Sequence, residues 1–243
     1  MTAQQYKDEH KKLMDRWESE CRKWFAEEIE NNSQPLNINA NFFEDGIFDP
    51  SIWFSNKSFR PLFILKEVHD NGTQESKRIN HVAMCEDKTY DIWNRQGRGM
   101  WRSLGALAKG MFKYLEEDKL PAYEELYAED IEEYRTILRK IAIINIKKVP
   151  GGGNVNAKES IQTKCFTCHA NKFKANLKEQ ISLINPTVII FCGTDVPGCF
   201  DIIDGKLYGI PVVAGLHPAI SANRHRENFY NRTIKQVKEI VSR

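Results

Sequence analysis

Nowhere does the 243-residue chain run apolar for eighteen residues in succession, which excludes a helix able to cross a bilayer, since that takes about 20. The opening residues MTAQQYKDEHKK contain no apolar core and do not read as a secretion signal. The expected compartment is therefore the cytoplasm, where thiols stay reduced. No sign of charge dominates: 35 Lys and Arg against 33 Asp and Glu give +2. Any polyanionic partner must then be met by a local patch rather than by the whole surface. Internal repeats and low-complexity tracts are absent, which excludes solenoids and extended disordered tails. Of the six cysteines, only Cys165 and Cys168 have a suggestive spacing.

What is present is the composition of a globular enzyme-sized domain, 41% hydrophobic and 28% charged. We read residues 1–243 as one domain, with residues 1–60 an N-terminal helical and irregular extension packed on it. Trp17, Cys21, Trp24, Phe25 and Ile29 recur at helical spacing within 4–31, and NNSQP at 31–35 ends that helix. The stretch 35–60, rich in aromatics and turn formers, reads as irregular packing over a core. Four short apolar runs follow: Leu62–Leu65, Ile141–Ile144, Val188–Phe191 and Val212–Ala214. They are continuous rather than alternating, as in strands buried on both faces of a parallel sheet. Helical segments are predicted over 99–117, 123–140, 170–184 and 224–242, the third stopped by Asn185-Pro186. This order predicts an α/β fold, a three-layer α/β/α sandwich around a central, mainly parallel four-stranded sheet.

Ligand sites in open parallel sheets form beyond the carboxyl ends of the strands. Each apolar run here leads into polar residues: Lys66-Glu67-Val68-His69-Asp70, then Asn145-Ile146-Lys147-Lys148 with Gly151-Gly152-Gly153, then Gly193-Thr194-Asp195, then Gly215-Leu216-His217-Pro218. One polar strand end is ordinary; four predict a shared rim. A carboxamide at Asn145 offers a donor and an acceptor side by side, which suits the edge of a pyrimidine. A neutral imidazole at His217 could donate to a developing anion. Glu67, with Asp70 second, is placed to hold a water or to offset positive charge. Lys147, Lys148 and Gly152 suit a phosphate-facing loop, and Arg224 could add a phosphate contact. Cys165-x-x-Cys168-His169 could begin a zinc site with Cys85, but we expect neither metal nor cofactor.

The pieces LFILKEVHD (62–70), GRGMW (97–101), IINIKK (143–148), INPTVIIFCGT (184–194) and GLHPAI (215–220) together resemble, in order and spacing, the uracil-DNA glycosylase superfamily, especially its small bacterial branches. The resemblance covers roughly two-thirds of the chain. It implies an enzyme that flips a nucleotide out of DNA and cuts its glycosidic bond. By that resemblance Asn145 reads the base, His217 faces the leaving pyrimidine, and Trp101, or else Trp93, stacks on it. Two departures matter. Lys66, Val68 and His69 stand where many relatives have glycine, a catalytic acid or amide, and proline. Glu67, His69 and Asp70 are then the local substitutes, with His69 beside the base. Ala219 replaces the serine of a His-Pro-Ser motif, leaving Ser221, Asn223 and Arg224 to contact phosphate. The altered first motif suits a larger base, so a bulky modified cytosine of phage DNA is carried beside uracil, with defence rather than repair as its role. The expected partner is DNA, acted on by a monomer away from membranes. Two other readings stand beside this one: a DNA- or nucleotide-binding module of the same fold without catalysis, and an enzyme holding a phosphorylated small molecule on its glycine run.

Overall fold

A computed structural model describes residues 1–32, 41–69, 78–80, 98–122, 124–126, 131–151, 166–193, 195–215 and 223–241. The four apolar runs become four parallel strands: β2 (Pro61–His69), β4 (Ala142–Gly151), β5 (Val188–Cys192) and β7 (Ile210–Gly215). The sheet order is β4-β2-β5-β7, extended by a two-residue antiparallel edge strand, β6 (Lys206–Leu207). A second, two-stranded sheet pairs β1 (Phe42–Glu44) with β3 (Arg78–Asn80) in parallel. The α/β sandwich expected from the sequence is thus present, with one more edge strand than predicted.

Alternation along each strand sends residues to two cores. Leu62, Ile64, Ala142, Ile144, Ile146, Ile189 and Phe191 enter one core. Phe63, Leu65, Ile141, Ile143, Val188, Ile190 and Cys192 enter the other. Burial on both faces is why these runs lack the polar alternation of a half-exposed strand. The first core is covered by α1 (Ala3–Asn32), α5 (Phe166–Lys172) and α6 (Lys174–Ile184). The second lies under α3 (Arg98–Glu117), α4 (Ile131–Leu138) and α7 (Asn223–Val241). The segment 123–140, expected as one helix, contains a 3-10 turn at Glu124–Leu126 and the shorter α4.

Local signals set several boundaries. In α1 the buried side chains Tyr6, His10, Leu13, Met14, Trp17, Cys21, Trp24 and Phe25 repeat every three or four residues. In α2 (Pro50–Ser55), Asp49 caps the N-terminus by accepting from Ser51 N and Ile52 N, with Pro50 in the first turn. Trp53 of α2 is buried and its Nε1 donates to Ile184 O at 2.8 Å, pinning this helix to the end of α6. Helix α6 stops at Asn185, in the left-handed region with φ 49°, and Pro186 prevents continuation. Arg60 N then donates to Thr187 Oγ1 at 2.8 Å while Thr187 N donates to Arg60 O, so β2 and β5 begin side by side.

Two close contacts in this packing make measurable demands. Gly110 of α3 faces α7, and a Cβ there would lie 1.7 Å from Tyr230 Oη and 2.5 Å from Ile234 Cδ1. Gly110→Ala is therefore expected to destabilise the fold by about 1–3 kcal/mol through overpacking, read as a lower urea midpoint with an unchanged slope. The other contact is His169, which sits among Trp24, Phe25 and Phe173 with ring centroids 4.9, 5.7 and 5.9 Å away. Neither ring nitrogen has a hydrogen-bond partner among the described residues. Burial, and then the charge of Lys147, pull its pKa down to about 3. Above the ordinary value of about 6.5, folded and unfolded forms are both neutral and the group has no pH effect. Below it the unfolded chain takes a proton that the folded chain refuses, so stability falls between there and about pH 3. At pH 5 the loss amounts to about 2 kcal/mol. His169→Phe is expected to be as stable as the parent at pH 7 and to lack this part of the acid loss, as measured by urea unfolding at both pH values.

Candidate functional site

The strand register defines the rim. Ile144, Ile64, Phe191 and Ala214 form one row across β4, β2, β5 and β7. One residue nearer the carboxyl ends stand Asn145, Leu65, Cys192 and Gly215, of which Asn145 pairs with Leu65 and Cys192 with Gly215. The outermost of these, Asn145 and Gly215, are separated by three interstrand spacings, about 14 Å. From β2 the chain crosses to β4 on one side and then returns to β5 on the other. The winding therefore reverses between β2 and β5, and such a switch point opens a crevice at the strand ends. Lys66 Nζ lies 3.7 Å from Asp195 Oδ2, so an ion pair joins β2 to the segment that follows β5 at this switch point. Gly193, at φ 143°, turns the chain out of β5 and donates its N–H to Gly215 O at 3.1 Å, tying β5 to β7.

Beneath the β4 end of the rim lies a buried polar cluster centred on Asp45, which the sequence reading did not single out. The segment after β1 runs along the free edge of β4: Ile143 N donates to Gly46 O, Phe48 N donates to Ile141 O, and Ile47 bridges Ala142. This places the fully buried Asp45 level with Asn145. Its Oδ2 accepts from Asn145 N at 2.7 Å and from Asn145 Nδ2 at 3.0 Å. Its Oδ1 accepts from Lys148 Nζ and, at 3.0 Å, from Gln180 Nε2 of α6. Gln180 Nε2 also lies 3.2 Å from Asp45 O and 3.4 Å from His10 Nε2. His10 Nδ1 in turn is 3.5 Å from Glu44 Oε1. Tyr6 stacks on His10 at 5.1 Å, and its hydroxyl accepts from Ile47 N. Burial raises the Tyr6 pKa, so that hydroxyl stays protonated. The Lys148 ammonium is held below its usual pKa by burial, against the opposing pull of Asp45, and sits 4.9 Å from the centre of the Trp17 ring.

These positions revise several expectations. Lys147 and Lys148 belong to β4 rather than to a loop, and both are buried, at 0% and 1% exposure. They are therefore not surface lysines facing phosphate; the carboxylate of Asp45 holds Lys148 inside. Trp101 is 4% exposed and packs edge-on against Phe48 with centroids 6.0 Å apart. Its ring fills the second core and offers no open stacking face. Asn145 is 2% exposed, its amide turned to Asp45. Glu67 and His69, expected beyond the strand, lie within β2 opposite Lys147 and Gly151, and Arg224 is in the first turn of α7. Asp70, Trp93, Gly152, His217 and Ser221 lie outside the described residues. Cys168 is disulfide-bonded, at odds with the expectation that every thiol is reduced; its partner also lies outside them. Among the described residues no group of His, Cys, Asp and Glu is arranged to hold a metal.

The missed signal was the acidic doublet Glu44-Asp45 embedded in the aromatic stretch NFFEDGIF, because acids surrounded by core residues must find buried donors. Asp45 serves several donors in the cluster, whereas Lys148 has Asp45 as its anionic partner there. Asp45→Ala should therefore cost about 3–5 kcal/mol by stranding a buried ammonium. Lys148→Met should cost less, since the carboxylate keeps the Asn145 and Gln180 donors. Urea unfolding of the two variants checks the order, and a larger loss for Lys148→Met would contradict it. No protein-family model and no characterised protein matches this chain, so the chemistry of its site rests on its own residues.

Proposed function

We propose that this chain is a DNA glycosylase that extrudes a pyrimidine nucleotide and hydrolyses its N-glycosidic bond, with uracil or a modified pyrimidine as the base. One observation carries the reading: a carboxamide, Asn145, is clamped in a fixed orientation within β4 of the parallel sheet, level with the carboxyl ends of β5 and β7. The adjacent strand of that sheet leads through Glu67, and its far strand leads from Gly215 toward His217. The resemblance described above assigns these ends the reading of the base, the handling of water and the stabilisation of the leaving group. In the reaction, water attacks the sugar C1′, and Glu67, with Asp70 as alternate, takes up its proton. The bonding electron pair departs with the base, whose O2 accepts a hydrogen bond from His217. The anionic base then gains a proton from solvent. No cofactor enters this scheme, and DNA is the partner of a monomeric enzyme. A bulky modified cytosine as substrate would make the enzyme a defence against foreign DNA.

A second reading, a DNA-binding module of the same fold without catalysis, is favoured by the burial of Asn145. Incubation with single- and double-stranded DNA carrying uracil, mismatched thymine or modified cytosines, followed by alkali, separates the two. The glycosylase reading expects strand breaks at the altered base, reduced at least about 100-fold in Asn145→Ala and in His217→Ala. Binding to DNA with no abasic site on any of these bases would instead favour the module.

A further inference from the structure

On the glycosylase reading, we propose that Asp45 is the positioning residue that sets whether the site accepts a 4-keto or a 4-amino pyrimidine, by fixing which end of the Asn145 carboxamide faces the base. A carboxamide has two nearly isosteric ends, one donating and one accepting, which exchange by a half-turn of the side chain. A carboxylate only accepts. With Asp45 Oδ2 at 3.0 Å from the Asn145 amide nitrogen, the half-turn would bring a carbonyl oxygen against a buried anionic oxygen. The same Oδ2 takes the Asn145 backbone N–H at 2.7 Å, so main chain and side chain are anchored at one atom. Asp45 cannot swing away to relieve such a clash, because Lys148 and Gln180 hold its other oxygen and Gln180 also reaches its carbonyl.

Uracil-type and cytosine-type bases differ in this respect. At position 4 one carries an acceptor oxygen and the other a donor amine, and N3 reverses in the opposite sense. A freely turning carboxamide can satisfy either edge, whereas one locked by a carboxylate satisfies only one in a given pose. Sites built on such a bond reject the unmatched partner strongly, because a buried group is left unpaired.

The test measures single-turnover excision of uracil and of cytosine-type bases from otherwise identical DNA. The parent protein is compared with two variants that each remove the charge pair together, D45A/K148M and D45N/K148M. We expect the parent to favour one class by about 100-fold or more. D45A/K148M should lower that ratio at least about 10-fold, while D45N/K148M, whose carbonyl can still accept from Asn145, keeps most of it. If D45A/K148M shows no cooperative unfolding, D45S/K148M, with a hydroxyl too short to reach the amide, takes its place. Equal slowing on both base classes would overturn the specificity role and leave Asp45 as a support for β4, with the glycosylase reading intact. A parent protein that excises no pyrimidine would overturn that reading itself, and the role of Asp45 with it.

Discussion

A carboxylate with no access to water organises one face of this protein. Removing an ion from water costs several kcal/mol even after relaxation, so Asp45 can be buried only where donors converge from every side. Those donors come from distant parts of the chain: the backbone and side chain of Asn145, Lys148 of the same strand and Gln180 of α6. Around them, His10 and Tyr6 of α1 complete the cluster through Gln180 and Ile47. Holding Asp45 therefore also holds α1, α6 and the segment 45–48 against the free edge of β4. A shift of any of these elements would leave a charge or a backbone N–H without a partner. This is a stricter constraint on their relative placement than apolar packing, which tolerates small slips.

The sheet supplies the frame for this cluster and for the rim above it. The parallel strands β2, β4 and β5 send side chains into cores on both faces, and the helices joining them divide between those faces. Here α3 and α4 carry the chain from β2 to β4 over one face, and α5 and α6 carry it from β4 to β5 over the other. The winding reverses between β2 and β5, and ligand sites in parallel sheets form at such switch points. The Lys66–Asp195 pair links β2 to the segment after β5 at that point. The site is thus a consequence of topology, while its chemistry depends on the side chains that topology delivers.

A tension runs between the core and the rim. Lys147, Lys148, Asn145 and Trp101 have chemistry suited to a nucleic acid, yet all are buried. Lys148 shows why: a neighbouring carboxylate and the face of Trp17 together offset the loss of water around its ammonium. Asn145 stands at the boundary between the two regions. It belongs to the buried cluster through one amide hydrogen, and its carbonyl oxygen is the end that Asp45 cannot engage.

The amino-acid sequence by itself determined the architecture. Each of the four apolar runs forms a strand, Asn185-Pro186 ends α6, and the amphipathic repeat of α1 is buried from Tyr6 to Phe25. These features are local or depend on periodicity, so neighbouring residues carry the information. Strand lengths did not follow from the same patterns: Glu67 and Asn145, expected beyond the apolar runs, lie within β2 and β4, which continue to His69 and Gly151. Tertiary structure alone decided which polar residues are exposed. Nothing near Lys148 in sequence announces Asp45, which is 103 residues away, and nothing near Trp101 announces Phe48. Burial of a charge is settled by the partners that distant segments bring to it, and a motif read along the chain contains no record of those distances.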